Sequence, residues 1–534
     1  MTIEHIATAL APELILLVGA CFVLMLGVTG SPPRGRWVSS ASFATIVLAL
    51  IAAVRVGSPE AGELLPGLWI TSLTIYTRWV ALSVGALIVL VNWHQPVVSE
   101  RGEYMAMILL SLLGVLLTAS ANDLVVLFLA IELVSVPTYV LIALSRDDTR
   151  SSEAAVKYFF LGALSAAILA YGMSFLYGAA GTTTIHTFTN GIVSSNFSFG
   201  GAGQAQAMIG TMLVFGGLAF KIAAVPFHVY AADVYEGAAS PVTGMLGFVP
   251  KLAGFVALCK LMSAFGWNIP PELSWMIWIV AAVTMTVGNV LALLQKNVKR
   301  MLAYSSIAHT GYMLVALLVG PVAGEGPMRD GVAAMLFYMA VYGVMNLGVF
   351  ALLTAFRTGG RDVETLDDLS GIARRAPAGA LALAICVFSL MGFPPTAGFI
   401  GKLYIFSGAF STSAAHPMHD AMIALAIIGV INSAIAAAYY LRIVAAVYMR
   451  TEKDEAIPTG GMPVRWGLAL CTIPLLVVFA WPAALTRSAT DAVAVVQQSI
   501  FRNSEAVATT DPPSSVHTPT LRAPTTDHDD ALEP

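Results

Sequence analysis

The strongest constraint in this sequence is the recurrence, along nearly its whole length, of uninterrupted apolar runs about 20 residues long. Wound as a helix rising about 1.5 Å per residue, such a run crosses a hydrocarbon layer of roughly 30 Å. In lipid every backbone N–H and C=O has to be bonded internally, so runs of this kind dictate helices. They are continuous rather than alternating, which excludes a transmembrane β-barrel. Hydrophobic residues make up 57% of the 534 and charged residues 11%, against roughly 25% charged in an ordinary soluble domain, and mean hydropathy is +0.80. A formal charge of −4 offers no basic surface on which nucleic acid could condense, so nucleic acid is excluded as a partner. Cys21, Cys259, Cys386 and Cys471 all lie in apolar runs without ligand spacing, so neither a disulfide framework nor a metal site is expected.

The runs parse into about fourteen helices, near 8–28, 37–56, 76–94, 103–120, 122–144, 152–178, 206–224, 242–265, 274–295, 298–319, 330–356, 377–410, 420–448 and 466–484. The expected fold is an all-α polytopic membrane protein. Thr8 to Val28 has no Lys or Arg before Arg34, so the basic region of a cleavable signal is missing and the run reads as a retained helix. Placing the N-terminus outside puts fifteen Lys and Arg in the inner loops, against four, Arg55, Arg78, Lys260 and Arg329, at outer loops and helix ends. The positive-inside rule favours that orientation, and an even helix count puts both termini on the outer side of the plasma membrane. Residues 503–534, rich in Ser, Thr, Pro and Asp, read as a disordered external tail.

Five basic residues, Lys157, Lys221, Lys251, Lys402 and Arg442, remain inside the runs, and of the 31 acids only Glu132 reads as lying deep in one. A charge at a helix centre costs about 2.5–3.5 kcal/mol, so each needs compensation. Arg442 and Lys157 are near inner helix ends and can snorkel or make structural pairs. Lys251 and Glu132 lie about ten residues into their runs, too deep to reach the interface at about 1.5 Å per residue. Two segments also violate helix rules. Residues 377–410 would make a helix of about 50 Å, yet they contain Gly392-Phe393-Pro394-Pro395, followed by Gly398, Gly401 and Lys402. Residues 206–241 hold Lys221, Pro226, Phe227 and His228 ahead of the polar stretch Asp233-Val234-Tyr235-Glu236-Gly237.

Interrupted backbone at membrane depth persists only against protein or a water-filled cavity, so broken helices bearing ionisable residues indicate an ion path. If helices four to eight (103–265) and nine to thirteen (274–450) are two copies of one five-helix unit, each broken segment becomes the fourth member of its copy. An odd number of helices forces the copies into opposite orientations, an inverted repeat. Residues 1–102 then form an N-terminal group of three helices, 466–484 is the last helix, and Glu132 of the first copy corresponds to His309 of the second.

The segments at the breaks resemble a known family. Lys221-Ile222-Ala223-Ala224-Val225-Pro226-Phe227-His228, and Asp233-Val234-Tyr235-Glu236-Gly237-Ala238-Ala239-Ser240-Pro241-Val242-Thr243 up to Lys251, resemble the antiporter-like membrane subunits of respiratory complex I, the NADH:quinone oxidoreductase. Among these they are most similar to subunit N. Met391-Gly392-Phe393-Pro394-Pro395-Thr396-Ala397-Gly398-Phe399-Ile400-Gly401-Lys402 matches the family's broken twelfth helix, and Glu132-Leu133 with Pro137-Thr138-Tyr139 its fifth. Lys402 fits subunits N and L, where subunit M usually has glutamate. The chain departs from the pattern at Ala239, commonly proline, and at Tyr230, commonly tryptophan.

The resemblance implies a membrane-arm subunit of an enzyme whose redox chemistry lies elsewhere. No cofactor is expected on this chain; NADH, FMN, iron–sulfur clusters and quinone would belong to partner subunits. The partners implied are other membrane-arm subunits, including neighbouring antiporter-like ones, and the lipid bilayer. The chain would contribute a proton path through Glu132, Lys221, Lys251, His309 and Lys402, with Lys157 and His228 as secondary candidates. Burial disfavours a charged lysine and a nearby carboxylate favours it, so a Glu132–Lys221 pair that opens and closes would switch the lysine's hold on its proton. Histidine, with an unperturbed pKa near 6.5, suits a middle position. Two other readings share these residues: a subunit of a multi-subunit Na⁺/H⁺ antiporter, and a membrane-arm scaffold that pumps nothing.

Overall fold

The computed structural model describes residues 3–28, 35–56, 63–94, 101–146, 148–189, 192–195, 203–267, 269–322, 325–358, 361–451, 456–459 and 461–493. The expected external tail, 503–534, lies outside the described residues. The helices are α1 Ile3–Ala9, α2 Ala11–Val28, α3 Gly35–Arg55, α4 Ser72–Val91, α5 Arg101–Ser120, α6 Leu124–Ser145, α7 Thr149–Ala180, α8 Gln204–Lys221, α9 Ala231–Gly237 and α10 Ser240–Leu246. They continue with α11 Val249–Ala264, α12 Pro271–Leu294, α13 Val298–Val319, α14 Gly331–Ala355, α15 Ile372–Arg375, α16 Pro377–Met391, α17 Ala397–Phe410, α18 His419–Met449 and α19 Gly461–Ala480. The strands are short connectors: Glu63–Leu65 pairs with Leu68–Trp69, His186–Thr189 with Ile192–Ser195, and Phe356–Thr358 lies between Arg361–Asp362 and Ala456–Pro458, all antiparallel.

Polar residues start the helices where the chain turns back. The Asp123 carboxylate accepts from Val125 N and Val126 N, Asp148 from Ser151 N, Asn297 from Arg300 N and Asp330 from Ala333 N, each satisfying an orphan first-turn donor. Among the described residues, 12 helical segments are long and apolar enough to cross a membrane, α10 and α11 counting as one, Ser240–Ala264. That is fewer than the fourteen apolar runs of the sequence, for two reasons. α8 begins with two glutamines and ends on Lys221, and the 377–410 run is divided into α16 and α17, of 15 and 14 residues.

Burial grades from centre to rim. Ser240–Ala264 is 100% buried and α14 94%, whereas α2 is 28% and α18 33% buried. The outer helices turn large apolar side chains such as Met25, Leu129, Phe160 and Ile431 outward, as a lipid-facing surface requires. The innermost helices therefore carry whatever the molecule keeps from lipid.

Both interruptions are stitched by side chains that take up freed backbone groups, as membrane depth demands. After α8, Thr310 Oγ1 donates to Ile222 O at 2.7 Å, Tyr230 OH donates to Phe220 O at 2.8 Å, and Thr284 Oγ1 accepts from Val225 N at 3.0 Å. After α16 the chain turns at Gly392, whose φ of 82° is accessible at little cost only without a Cβ. Thr396 Oγ1 donates to Phe393 O, and Ser389 Oγ accepts from Gly398 N.

Three features correct the expectations from sequence. The run at 242–265 is divided at Gly247–Phe248, so Lys251 is the third residue of α11 rather than a mid-helix residue, because Pro250 favours a helix's first turn. Arg78 and Lys260, expected at outer loops or helix ends, are buried, and so is Lys299, counted among inner-loop residues. Finally, Glu132 is not alone among acids within the helices. Glu13 of α2 is 4% exposed and accepts Arg78 Nε of α4 at 2.8 Å, while Arg78 Nη2 donates to Ala9 O at 3.1 Å.

That pair ties the N-terminal helices together. Removing one partner leaves an uncompensated buried charge, so Arg78→Met should destabilise by about 3–5 kcal/mol. Glu13→Gln combined with Arg78→Met should lose less than the sum of the single changes, as read from thermal inactivation of the solubilised protein; additive losses would mean that the pair does not hold α2 to α4.

Candidate functional site: a buried polar row

Five of the side chains singled out by the sequence lie among the buried helices, and the first two touch. Lys221, at the C-terminal end of α8, donates from Nζ to Glu132 Oε1 of α6 at 2.9 Å and to Ser135 Oγ at 2.8 Å. The lysine side chain is 3% exposed and the glutamate 20%, so the carboxylate has the freer side. Because α8 stops at Lys221, the ammonium emerges where the helix opens, within reach of hydroxyl and carboxylate together.

Lys221 and Lys251 both line a small cavity of about 10 Å³, together with Tyr158, Tyr230, Tyr235 and Pro250. That is close to the space a single water needs. On its far side Lys251 Nζ donates to Ser306 Oγ of α13 at 2.6 Å and also to Ser306 O. Tyr342 OH of α14 donates to the same hydroxyl at 2.7 Å, and Tyr235 OH of α9 lies 3.1 Å from it. With two donors filling its lone pairs, the Ser306 hydroxyl has its own proton directed at Tyr235. One serine thus joins three helices around one lysine.

His309 follows one turn along α13. Its Nδ1 lies 2.5 Å from Tyr338 OH and its Nε2 3.0 Å from Tyr440 OH of α18, so each ring nitrogen has a hydroxyl that can either donate or accept. Tyr440 OH in turn meets Ser305 Oγ. Aromatic rings bracket the imidazole: Tyr342 is 5.1 Å away between centroids and Tyr312 5.7 Å. Each of those rings also faces a lysine, Lys251 Nζ lying 5.5 Å from the Tyr342 centroid and Lys402 Nζ 4.9 Å from that of Tyr312. The order in space is Lys251, Tyr342, His309, Tyr312, Lys402.

Lys402 closes the row at the second break. It sits in α17 and reaches back across the gap to donate to Met391 O, the last carbonyl of α16, at 2.9 Å. Gly401 lets α17 approach, since a Cβ there would lie 2.4 Å from Tyr338 Cδ2, the ring that carries the hydroxyl bonded to His309. A side chain at 401 would push apart the histidine's partner and the lysine's helix.

Lys157 and His228 lie outside this row. Lys157 is on the surface of α7, 44% exposed, paired with Glu153 at 2.8 Å and Asp233 at 3.0 Å. Burial acts to raise the Asp233 pKa, but hydrogen bonds from Lys157 and Arg300 outweigh it and hold the carboxyl below its ordinary value. Lys157 is thus part of an ion-pair cluster with Glu153, Asp233 and Arg300. His228 is half-buried in the turn after α8, and its Nδ1 has no hydrogen-bond partner. Arg442 donates to Leu293 O and Gln295 O, capping the end of α12.

Sequence reasoning missed the hydroxyls: Ser135, Ser306, Tyr235, Tyr338, Tyr342 and Tyr440. Two spacings point to some of them. Ser306 and His309 share a face of α13 at i, i+3, and Tyr338 and Tyr342 share a face of α14 at i, i+4. No group of three or more His, Cys, Asp or Glu able to hold a metal occurs among the described residues.

Residues 121–435 match the family described as NADH:quinone oxidoreductase/Mrp antiporter, transmembrane. The chain is 39% identical over 446 residues to NADH-quinone oxidoreductase subunit N of Trichlorobacter lovleyi, covering 83% of this chain and 88% of that protein. It is 35% identical over 497 residues to the subunit N of Paramagnetospirillum magneticum, covering 91% and 97%. Among solved structures, a chain of respiratory complex I from Thermus thermophilus with bound aureothin shares 30% identity at a TM-score of 0.72, covering 90% of this chain and 99% of that one. A chain of the Mrp complex from a Dietzia species has the same fold, with 21% identity and a TM-score of 0.77 over 93% of this chain and 100% of that one. By family match and by identity over nearly the whole length of its relatives, the chain belongs to the subunit N family of NADH-quinone oxidoreductases, the antiporter-like membrane subunits of complex I.

Proposed function

We propose that this chain carries protons within the membrane arm of complex I along Glu132, Lys221, Lys251, His309 and Lys402, driven by quinone reduction in partner subunits that hold the NADH, FMN, iron–sulfur and quinone sites. The observation that carries the reading is that Lys221, Lys251 and Lys402 each sit where a helix is interrupted and each donate to oxygens of the protein. The chain lies in the plasma membrane beside other antiporter-like subunits, with its fourteen crossings arranged as three N-terminal helices (1–102), two inverted five-helix units (103–265 and 274–450) and a last helix. In this reading α8 is a crossing of its own and α16 with α17 make one broken crossing. Both termini face outward.

In the resting arrangement Glu132 favours the charged form of Lys221. Lys251 passes its own proton on through the Ser306 hydroxyl; when the Glu132 carboxylate swings away, the Lys221 ammonium is left with Ser135 alone and gives its proton across the small cavity to the neutral Lys251 amine. The Ser306 hydroxyl, Tyr342 and the two tyrosines on His309 can each donate and accept, so the proton passes towards His309 and on to Lys402 without an uncompensated charge in the apolar interior. Coupling arises because each lysine's hold on its proton depends on whether its neighbours are charged.

Three measurements check this reading. In a double-mutant cycle on proton pumping, Glu132→Gln and Lys221→Met should be clearly non-additive, since either change already removes the shared interaction; additive losses would show that the pair does not act as a unit. Lys251→Met and Lys402→Met should leave the complex assembled but slow coupled quinone reduction in vesicles. Lys251→Arg and Lys402→Arg should fail to restore pumping, because guanidinium keeps its proton, whereas near-normal pumping by the Arg variants would mean that fixed charge suffices. For orientation, a protease site placed after Arg502 should be cut in right-side-out spheroplasts and protected in inverted vesicles; the reverse pattern would turn the chain over.

A further inference from the structure

A cavity of about 620 Å³ is enclosed by α4, α14, the start of α17, α19 and the helical residues 483–493 that follow it. It contains none of the residues of the polar row, and its volume is in the range of about 300–1,000 Å³ typical of sites that hold a small molecule. The space exists because small side chains stand where larger ones would close it: Ser72 and Ser83 of α4, Ala340 of α14, Ala397 of α17, and Ser488 and Ala492 after α19. Residues 483–493 bury Ala489 and Val493 and present Ser488 and Asp491 to the cavity.

The lining changes character along the helices. α4 contributes residues from Ser72, its first, down to Val84, a rise of about 18 Å, whereas α14 contributes only its middle, Ala340 to Val344, and α17 only Ala397 at the break. The cavity therefore runs from the end of the bundle where α4 begins to mid-membrane, close to the hydrocarbon depth of one leaflet, about 15 Å. A further transmembrane helix would need the whole thickness; a chain belonging to one leaflet would not. Ser72, Ser488 and Asp491 gather at the outer mouth, and exposed Arg487 precedes Asp491 by one turn on the same helix face. Deeper in, the lining is chiefly apolar, and the Tyr76 hydroxyl is spent on Leu336 O of α14 at 2.9 Å.

We propose that this groove is a binding site for one phospholipid with an amine headgroup. An acyl chain fills the apolar section, Asp491 pairs with the headgroup ammonium, and Arg487 with the hydroxyls of Ser72 and Ser488 meets the phosphate. A quinone has no charge to offer Asp491 and Arg487, and an anionic glycerol headgroup has no cation for Asp491. Ala340 and Val344 lie two positions on from Tyr338 and Tyr342, and so on the opposite face of α14, while Ala397 stands five residues ahead of Lys402. The seated chain thus supports α14 and the second break from the side away from the polar row.

The test puts a photoreactive benzophenone amino acid in place of Val344 in the intact complex, exchanges the complex into vesicles of equal parts phosphatidylethanolamine and phosphatidylglycerol, and identifies the adducts by mass spectrometry. The same probe in place of Ser83 decides the matter if the Val344 variant assembles poorly, and the probe in place of Ile431, exposed on α18, is the control. At 344 and 83 a phospholipid adduct should still form after extensive detergent washing, whereas at 431 washing should abolish it. Phosphatidylethanolamine should exceed phosphatidylglycerol in the adduct by about threefold, the preference a partly exposed charge pair brings, and Asp491→Asn should bring the ratio to about one. Adducts to peptide, whether from this chain or a neighbouring subunit, or to quinone would overturn the lipid site. So would the absence of any adduct after washing, or a headgroup ratio that Asp491→Asn leaves unchanged. The readout is an adduct rather than proton pumping, so its failure and failure of the proton path are separate results.

Discussion

An ammonium ion in hydrocarbon has to find oxygen, and the rest of this structure follows from that requirement. A regular helix offers little, because its carbonyls are mostly consumed by its own ladder, and Ser306 of the unbroken α13 serves Lys251 chiefly through its side-chain hydroxyl. Oxygens become available where a helix stops. Lys221 is the last residue of α8, Lys251 lies in the first turn of α11, and Lys402 reaches across a gap to the last carbonyl of α16. The interruptions therefore create the positions at which a lysine can be kept, and they also open the interior to hydroxyls that α-helical backbone alone would exclude. Thr310, Tyr230, Thr284, Thr396 and Ser389 then satisfy the backbone groups that the breaks set free.

α13 is the element on which these separate accommodations become one system. Its Ser306 binds Lys251, its Thr310 binds Ile222 O beside Lys221, its His309 faces the rings that hold Lys251 and Lys402, and its first residues enter the charged cluster with Arg146, Asp233, Glu236 and Glu364. A change in charge at one lysine is felt by hydroxyls and rings that also touch the next, in a low-dielectric interior where such effects are weakly screened. In the proposed relay, rotation of a carboxylate and reorientation of hydroxyl protons would carry the coupling without a large rigid-body movement.

How much of this could be read from the sequence depended on how conspicuous each residue was against an apolar background. Glu132 and Lys221 stand out in hydrophobic runs, and the Gly-Phe-Pro-Pro stretch and the Pro226 turn announce their breaks. The hydroxyls do not stand out, since a tyrosine such as Tyr338 or Tyr342 in an apolar helix reads as packing until its OH is seen to meet His309 or Ser306. Arg78 was misplaced for a different reason. Seven residues into a helix, it looks like an interfacial residue, and only the packing of α2 against it supplies Glu13 as partner, 65 positions away. Lys299 was hidden likewise: its neighbours Lys296 and Arg300 make a loop-like basic run, whereas the fold turns this one side chain inward beneath Ala238.

The central idea is that lysines of this chain change protonation during turnover. Redox-triggered infrared difference spectroscopy on the complex, with isotope-labelled lysine confined to this chain, reads that directly. Ammonium bands that shift with the label and fade in Lys251→Met and Lys402→Met are the expected outcome, whereas a difference spectrum with no lysine bands under conditions of full turnover would mean that these charges stay fixed and the row is structural.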